Sequence, residues 1–132
     1  MFRIIMKSKI HRATVTRCNI HYVGSITIDE ELMEAADIYP HEKVQVVDVD
    51  NGARLETYVI AGTRGSGIVT LNGAAARLVQ PGDRIIVITY ALMQEQEARG
   101  HQPRAVLVDE HNRVARVTAG EVHGSLAPPL IP

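Results

Sequence analysis

Turn-forming residues interrupt this chain at short intervals, and the stretches between them are rich in Val, Ile and Thr. β-Branched side chains pack well on a pleated surface and lose rotamer freedom in a helix, so the pattern favours strands. Expected strands are Phe2 to Met6, Ala13 to Ile20, Ile26 to Ile28, Lys43 to Asp48, Arg54 to Ala61, Ile68 to Leu71, Arg84 to Leu92 and Ala105 to Val108. Turn signals separate them at Asn51-Gly52, Gly62 to Gly67, Asn72-Gly73 and Pro81-Gly82-Asp83. Helical signal is sparse. Asp29 can cap a short helix reaching Glu34 or Ala36, with Leu32, Met33 and Ala36 turned inward, and a second helical turn is expected from Ala74 to Leu78. The expected fold class is mainly β with a few short helices.

A weak internal repeat sharpens that expectation. One unit begins at Ile26-Thr27-Ile28-Asp29 and ends at Pro40 to Val47; the other begins at Val69-Thr70-Leu71-Asn72 and ends at Pro81 to Ile88. Each reads as a strand, a capped helical turn, a turn at Pro40 or Pro81, and an apolar strand. Two related halves suggest a pseudo-two-fold β-barrel, because closure removes exposed strand edges. The barrel is expected over residues 1–108. Residues 109–132 read as a C-terminal tail, mobile or packed on a neighbouring subunit, with three Pro in the last five positions.

With 132 residues the chain suits one domain and can bury roughly two-thirds of its unfolded surface. Its 14 basic and 15 acidic residues leave a net charge of -1, which argues against a nucleic-acid partner. The single Cys18 excludes an internal disulfide framework and fits a reducing compartment. No apolar run approaches the ~20 residues of a membrane span, and MFRIIMKSKIHR is too short and charged for a secretory signal. A cytoplasmic protein with no membrane partner is expected. The six His show neither H-x-H nor H-E-x-x-H spacing, so no metal is expected. Gly62 to Gly67 lacks the Lys-Ser/Thr ending of a phosphate-binding loop.

The stretch HYVGSITID, His21 to Asp29, places Gly24-Ser25 between two extended runs. A Gly-Ser dipeptide alone is a turn. Its surroundings favour something else. The pieces KIHRATVT (Lys9 to Thr16), HYVGSITID, NGARLETYVI (Asn51 to Ile60), RGSG (Arg64 to Gly67) and LNGAAARLVQPGD (Leu71 to Asp83) occur in an order and spacing that resemble the aspartate 1-decarboxylase family. The resemblance runs from the N-terminus to about Met93 and implies a double-psi β-barrel assembled as a homotetramer. Members are pyruvoyl-dependent: they convert L-aspartate to β-alanine and CO₂, feeding pantothenate and coenzyme A synthesis.

Carried onto this sequence, the resemblance implies self-cleavage between Gly24 and Ser25, with Thr57 assisting. Ser25 Oγ attacks the Gly24 carbonyl, and the ester so formed undergoes β-elimination. Hydrolysis then releases ammonia and leaves a pyruvoyl group where Ser25 stood. This covalent group is the expected cofactor, with neither metal nor pyridoxal phosphate; it binds the substrate amine as a Schiff base and accepts electrons as CO₂ departs. Tyr58 is the expected proton donor. Arg54, whose planar fork can hold a carboxylate bidentately, is the expected clamp. Lys9, Thr57, Asn72, Gly73, Ala74 and Ala75 complete the substrate contacts, and His11 and Tyr22 line the site. Strand alternation alone puts Arg54 and Tyr58 on one face. A maturation partner is a further expectation. The alternatives are a non-catalytic β-barrel binding module, and a pyruvoyl decarboxylase of another amino acid such as glutamate.

Overall fold

The computed structural model describes residues 1–120. In chain order the elements are β1 (Phe2–Thr14), β2 (Arg17–Asn19), β3 (Ser25–Asp29), α1 (Glu30–Ala35), β4 (Lys43–Asp48) and β5 (Arg54–Gly62). They continue with β6 (Val69–Asn72), a 3-10 turn (Gly73–Arg77), β7 (Arg84–Gln94), α2 (Glu95–Gly100), β8 (Arg104–Val108) and β9 (Val114–Ala119). Of the expected tail, residues 109–132, positions 109–120 are described and carry β9 paired to β8, whereas residues 121–132 lie outside the described residues.

The strands hydrogen-bond in the order β2-β6-β3-β5-β4-β7-β1-β8-β9. The first seven positions close on themselves, because β1 runs directly into β2. Thr14 pairs with Arg84 on β7, Val15 N-H donates to Asp83 O, and Thr16 N-H donates to Val69 O, at the head of β6. One continuous stretch thus closes the seam of a barrel. Its ladders come in matching sets. Parallel β3-β5 corresponds to parallel β2-β6, and antiparallel β4-β5 corresponds to antiparallel β1-β7. The units β3-α1-β4 and β6-turn-β7 exchange under the same two-fold relation, as the internal repeat suggests. This is the topology of a double-psi β-barrel.

Both halves contribute to one aliphatic core. Ile10, Ile26, Ile28, Val44, Val46, Val59, Val69, Leu71, Ile85 and Val87 are all buried. Leu32, Met33 and Ala36 of α1 close one side, matching the inward face read from the sequence. Asp29 caps α1 as its position suggests, accepting from Glu31 N-H at 2.8 Å. It also accepts from Gly65 N-H and Gly67 N-H at 3.0 and 2.7 Å, tying the β5-β6 loop to the helix start. Burial opposes ionisation of Asp29. The N-H groups of Gly67, Glu31 and Gly65, with the charge of Arg113, nevertheless hold its carboxyl below the ordinary carboxylate range.

Several elements differ from the sequence reading. Phe2 to Met6 and the start of the next expected strand are one strand, β1, with irregularities between Met6 and Ser8 and between Ile10 and Ala13. Register shifts of this kind absorb an extra residue without ending the strand. β2 stops at Asn19, one residue short of the expected end. α2 and β9 had no counterpart in the sequence reading, and neither buries an apolar stripe that periodicity would reveal.

Candidate active site

Ser25 is the first residue of β3 and is fully buried, with φ at +140°. A side-chain-bearing residue held there stores strain on the order of 1–3 kcal/mol. The adjacent Gly24 has no positive φ, and a Cβ added there would point into open space. The strain therefore lies on the serine side of the peptide bond.

Ser25 faces Asn72 across the antiparallel β3-β6 ladder. Asn72 Nδ2 donates to Ser25 Oγ at 2.9 Å and to Thr27 Oγ1 at 3.1 Å. Asn72 is itself buried and precedes the 3-10 turn, yet its side chain does not cap that turn. Its amide serves the serine instead. Gly73 follows with φ at +67°, and a Cβ there would lie 2.8 Å from Gly24 Cα and 3.0 Å from Tyr22 O. Only glycine lets the loop before Ser25 settle this close to the turn. Ala74 and Ala75 continue the turn beside it.

On the other side of β3, Ile26 pairs with Val59 of parallel β5. Ser25 and Tyr58 each stand one residue before that pair, so they are level at the mouth of adjacent strands, roughly 4.8 Å apart backbone to backbone. Thr57 precedes Tyr58, between the core-packed Leu55 and Val59. The Tyr58 ring is half-buried, and its centroid lies 6.4 Å from that of His41. Arg54 opens β5 and is exposed, on the Tyr58 face of the strand.

One chain does not bring every expected residue together. Lys9 pairs with Ile88, Ile88 with Gln45, and Gln45 with Glu56, so three strand spacings separate Lys9 from β5, on the order of 14 Å along the sheet. His11, level with Leu107 of β8, shares that remote strand. Tyr22 reaches the site through its backbone oxygen, while its side chain is mostly exposed.

Two residues near the site were absent from the sequence reading. Thr27 shares the Asn72 amide, and its signal was available: it lies two residues from Ser25, on the same strand face. His41 approaches Tyr58 only through tertiary folding, its N-H donating to Val59 O at 2.7 Å. Cys18 is not poised for reaction, since burial pushes its thiol up and the nearby Asp83 charge adds to that.

Residues 1–115 match the aspartate decarboxylase family. The chain belongs to that family. It is 65% identical to an aspartate 1-decarboxylase of Pelotomaculum thermopropionicum, over 94% of each chain. It is 63% identical to that of Carboxydothermus hydrogenoformans, over 94% of this chain and 98% of the relative. A relative from Acetivibrio thermocellus is 61% identical over 96% of this chain and its own full length. A rationally designed DPBB protein of known structure overlaps 60% of this chain at 14% identity, with a TM-score of 0.41. Among the described residues, no helix is long and apolar enough to cross a membrane.

Proposed function

We propose that this family member cleaves itself between Gly24 and Ser25 and then decarboxylates L-aspartate at the α-carboxylate, giving β-alanine and CO₂. The observation that carries the reading is Ser25 itself: buried, at φ +140°, with its Oγ held by Asn72. A serine in an ordinary surface turn needs none of these features. Asn72 donates to Oγ, so the hydroxyl proton points elsewhere and can be given up as Oγ attacks the Gly24 carbonyl. Strain at Ser25 favours that shift from amide to ester. Thr57, adjacent to the strand mouth, stabilises the oxyanion on the former Gly24 carbonyl. Elimination frees the Gly24 carboxylate, and water then replaces the nitrogen as ammonia.

Ser25's surroundings suit the pyruvoyl group it would become, because the Asn72 amide stays beside it as a hydrogen-bond donor. That group supplies the electrophilic carbonyl that captures the substrate amine and takes up electrons when CO₂ leaves. The chain's own residues do the rest. Arg54 clamps a substrate carboxylate, the N-H groups of Gly73 to Ala75 line the opposite wall, and Tyr58 delivers a proton to carbon. Lys9 and His11 lie on β1, three strands from β5 along the wall. A homotetramer, in which a neighbour presents them, completes the constellation. Exposed Phe2, Ile4 and Leu92, at 62%, 71% and 67%, form an apolar outer face on the β1-β7 ribbon suited to such contacts.

Incubation with aspartate labelled at the α-carboxyl tests the substrate. The expected result is labelled CO₂ and β-alanine in equal amounts, with glutamate turned over at least about ten-fold more slowly. Cleaved protein that releases neither product would overturn the assignment.

A further inference from the structure

At one end of the barrel, two loops converge with three carboxylates. Asp48 ends β4, Asp50 lies in the β4-β5 turn, and Asp83 stands just before β7. One oxygen from each lies within 4.8 Å of the others. Every member is pinned by backbone: Asp48 Oδ1 accepts from the N-H groups of Asp50 and Asn51 at 2.8 and 3.2 Å. Asp50 Oδ2 accepts from Arg84 N-H at 2.7 Å, and Asp83 Oδ2 from Gln80 N-H at 3.0 Å. These bonds occupy one oxygen of each carboxylate, and the Asp48 and Asp83 carboxyls also stand within hydrogen-bonding reach of each other.

The second oxygen of Asp48 singles this cluster out from surface acidity. Asp48 is only 1% exposed, and its Oδ2 is fully buried and accepts from no N-H or hydroxyl among the described residues; the carboxyl beside the group is that of Asp83, which has no proton to give when both are ionised. A buried acceptor left unmatched costs about 1–3 kcal/mol, and more when charged. Its neighbours worsen the position. Burial pushes the Asp48 carboxyl up, and Asp83 beside it adds to the shift. No Lys or Arg ion pair to any of the three occurs among the described residues.

We infer that Asp48, Asp50 and Asp83 form a site for a hard divalent cation, best suited to Ca²⁺, that clasps the β4-β5 turn to the start of β7. All the donors are carboxylate oxygens, which suit Ca²⁺ or Mg²⁺ rather than a thiolate- or imidazole-seeking ion. Size favours the larger ion. Oxygens each about 2.4 Å from a Ca²⁺ can stand up to about 4.8 Å apart, whereas Mg²⁺ demands a tighter octahedron. The backbone bonds hold the donors in place beforehand, so little ordering accompanies binding. The inference does not rest on the decarboxylase reading; it concerns a structural ion in the turn that leads into Arg54, where Asn51 Nδ2 also donates to Leu78 O at 2.8 Å.

The test uses the full-length protein, stripped with chelator and returned to physiological salt. Ca²⁺ and Mg²⁺ are titrated in turn, read by calorimetry and by thermal unfolding. Saturating Ca²⁺ is expected to raise the Tm by about 5 °C, and Mg²⁺ to bind more weakly. Asp50→Asn and Asp83→Asn keep an oxygen for Arg84 N-H and Gln80 N-H, so both should fold. Each is expected to weaken Ca²⁺ binding at least about ten-fold and to shrink the Tm shift. No heat and no shift with Ca²⁺ would overturn the site, as would an equal shift in both variants. Tighter binding of Mg²⁺ than of Ca²⁺ would overturn the choice of ion.

Discussion

Ser25 and Gly73 divide the work at the proposed cleavage point: one holds the strain, the other makes room for it. Gly73→Ala would place a methyl 2.8 Å from Gly24 Cα at a φ of +67°. The left-handed conformation alone costs about 1–2 kcal/mol with a side chain, and the overlap pushes the Gly24 loop away. Ten-fold or slower self-cleavage is expected, read by gel or mass over time; cleavage at the wild-type rate would show that the loop position is immaterial. Ser25→Ala removes the hydroxyl and is expected to leave one uncut, inactive chain. Tyr58→Phe should cleave normally yet lose about 10²–10⁴-fold in turnover, since general-acid assistance is lost while the fold keeps its ring. Of these residues, Gly24, Ser25, Asn72 and Gly73 were legible through the motifs around them. The dihedral of Ser25 was not, because a strained φ is imposed by the pairing of Ser25 with Asn72 and of Ile26 with Val59 rather than by local sequence.

At the scale of elements, Asp29 joins a strand, a helix and a loop through three backbone N-H groups. Asp29→Ala leaves those donors unmatched and is expected to destabilise the chain by about 2–4 kcal/mol in denaturant unfolding. The pH dependence has a definite sign. The folded carboxyl titrates below its ordinary value of 3.8, so its contribution is present above that value and vanishes as pH falls through the folded one. The stability gap between wild type and Asp29→Asn should therefore narrow below about pH 3.8 and stay constant at neutral pH. Asp29 was readable as a cap because capping is local chemistry. Its bonds to Gly65 and Gly67 were not, since they span more than thirty residues. β1 hid its continuity behind the polar run Lys7 to Arg12, where two register shifts break the alternation that marks a strand. β9 gives no alternation to read: it lies mostly exposed against β8. The turn before it is secured by Asn112, which is buried and bonds to Thr14 and Gly67.

For the molecule as a whole, the pseudo-two-fold relation explains how a short chain reaches so many site positions. β3 and β6 are exchanged by it, and they pair along four positions, with Ser25 facing Asn72 at one end of the ladder. The internal repeat made this symmetry visible in the sequence, whereas the seam at Val15 and Thr16 needed the folded chain. A barrel that carries Lys9 on β1, three strands from β5, calls for more than one copy, and light scattering of the purified protein should give four. A stable monomer with full activity would remove the shared site.

The central claim is that the bond between Gly24 and Ser25 is built to break. The denatured mass spectrum of purified protein, before and after warming, tests it most directly. Two chains meeting at Gly24 and Ser25 are expected, the larger lighter by one ammonia than a fragment beginning with intact serine. A single chain that stays uncut after warming, even with cell extract added, would contradict the account.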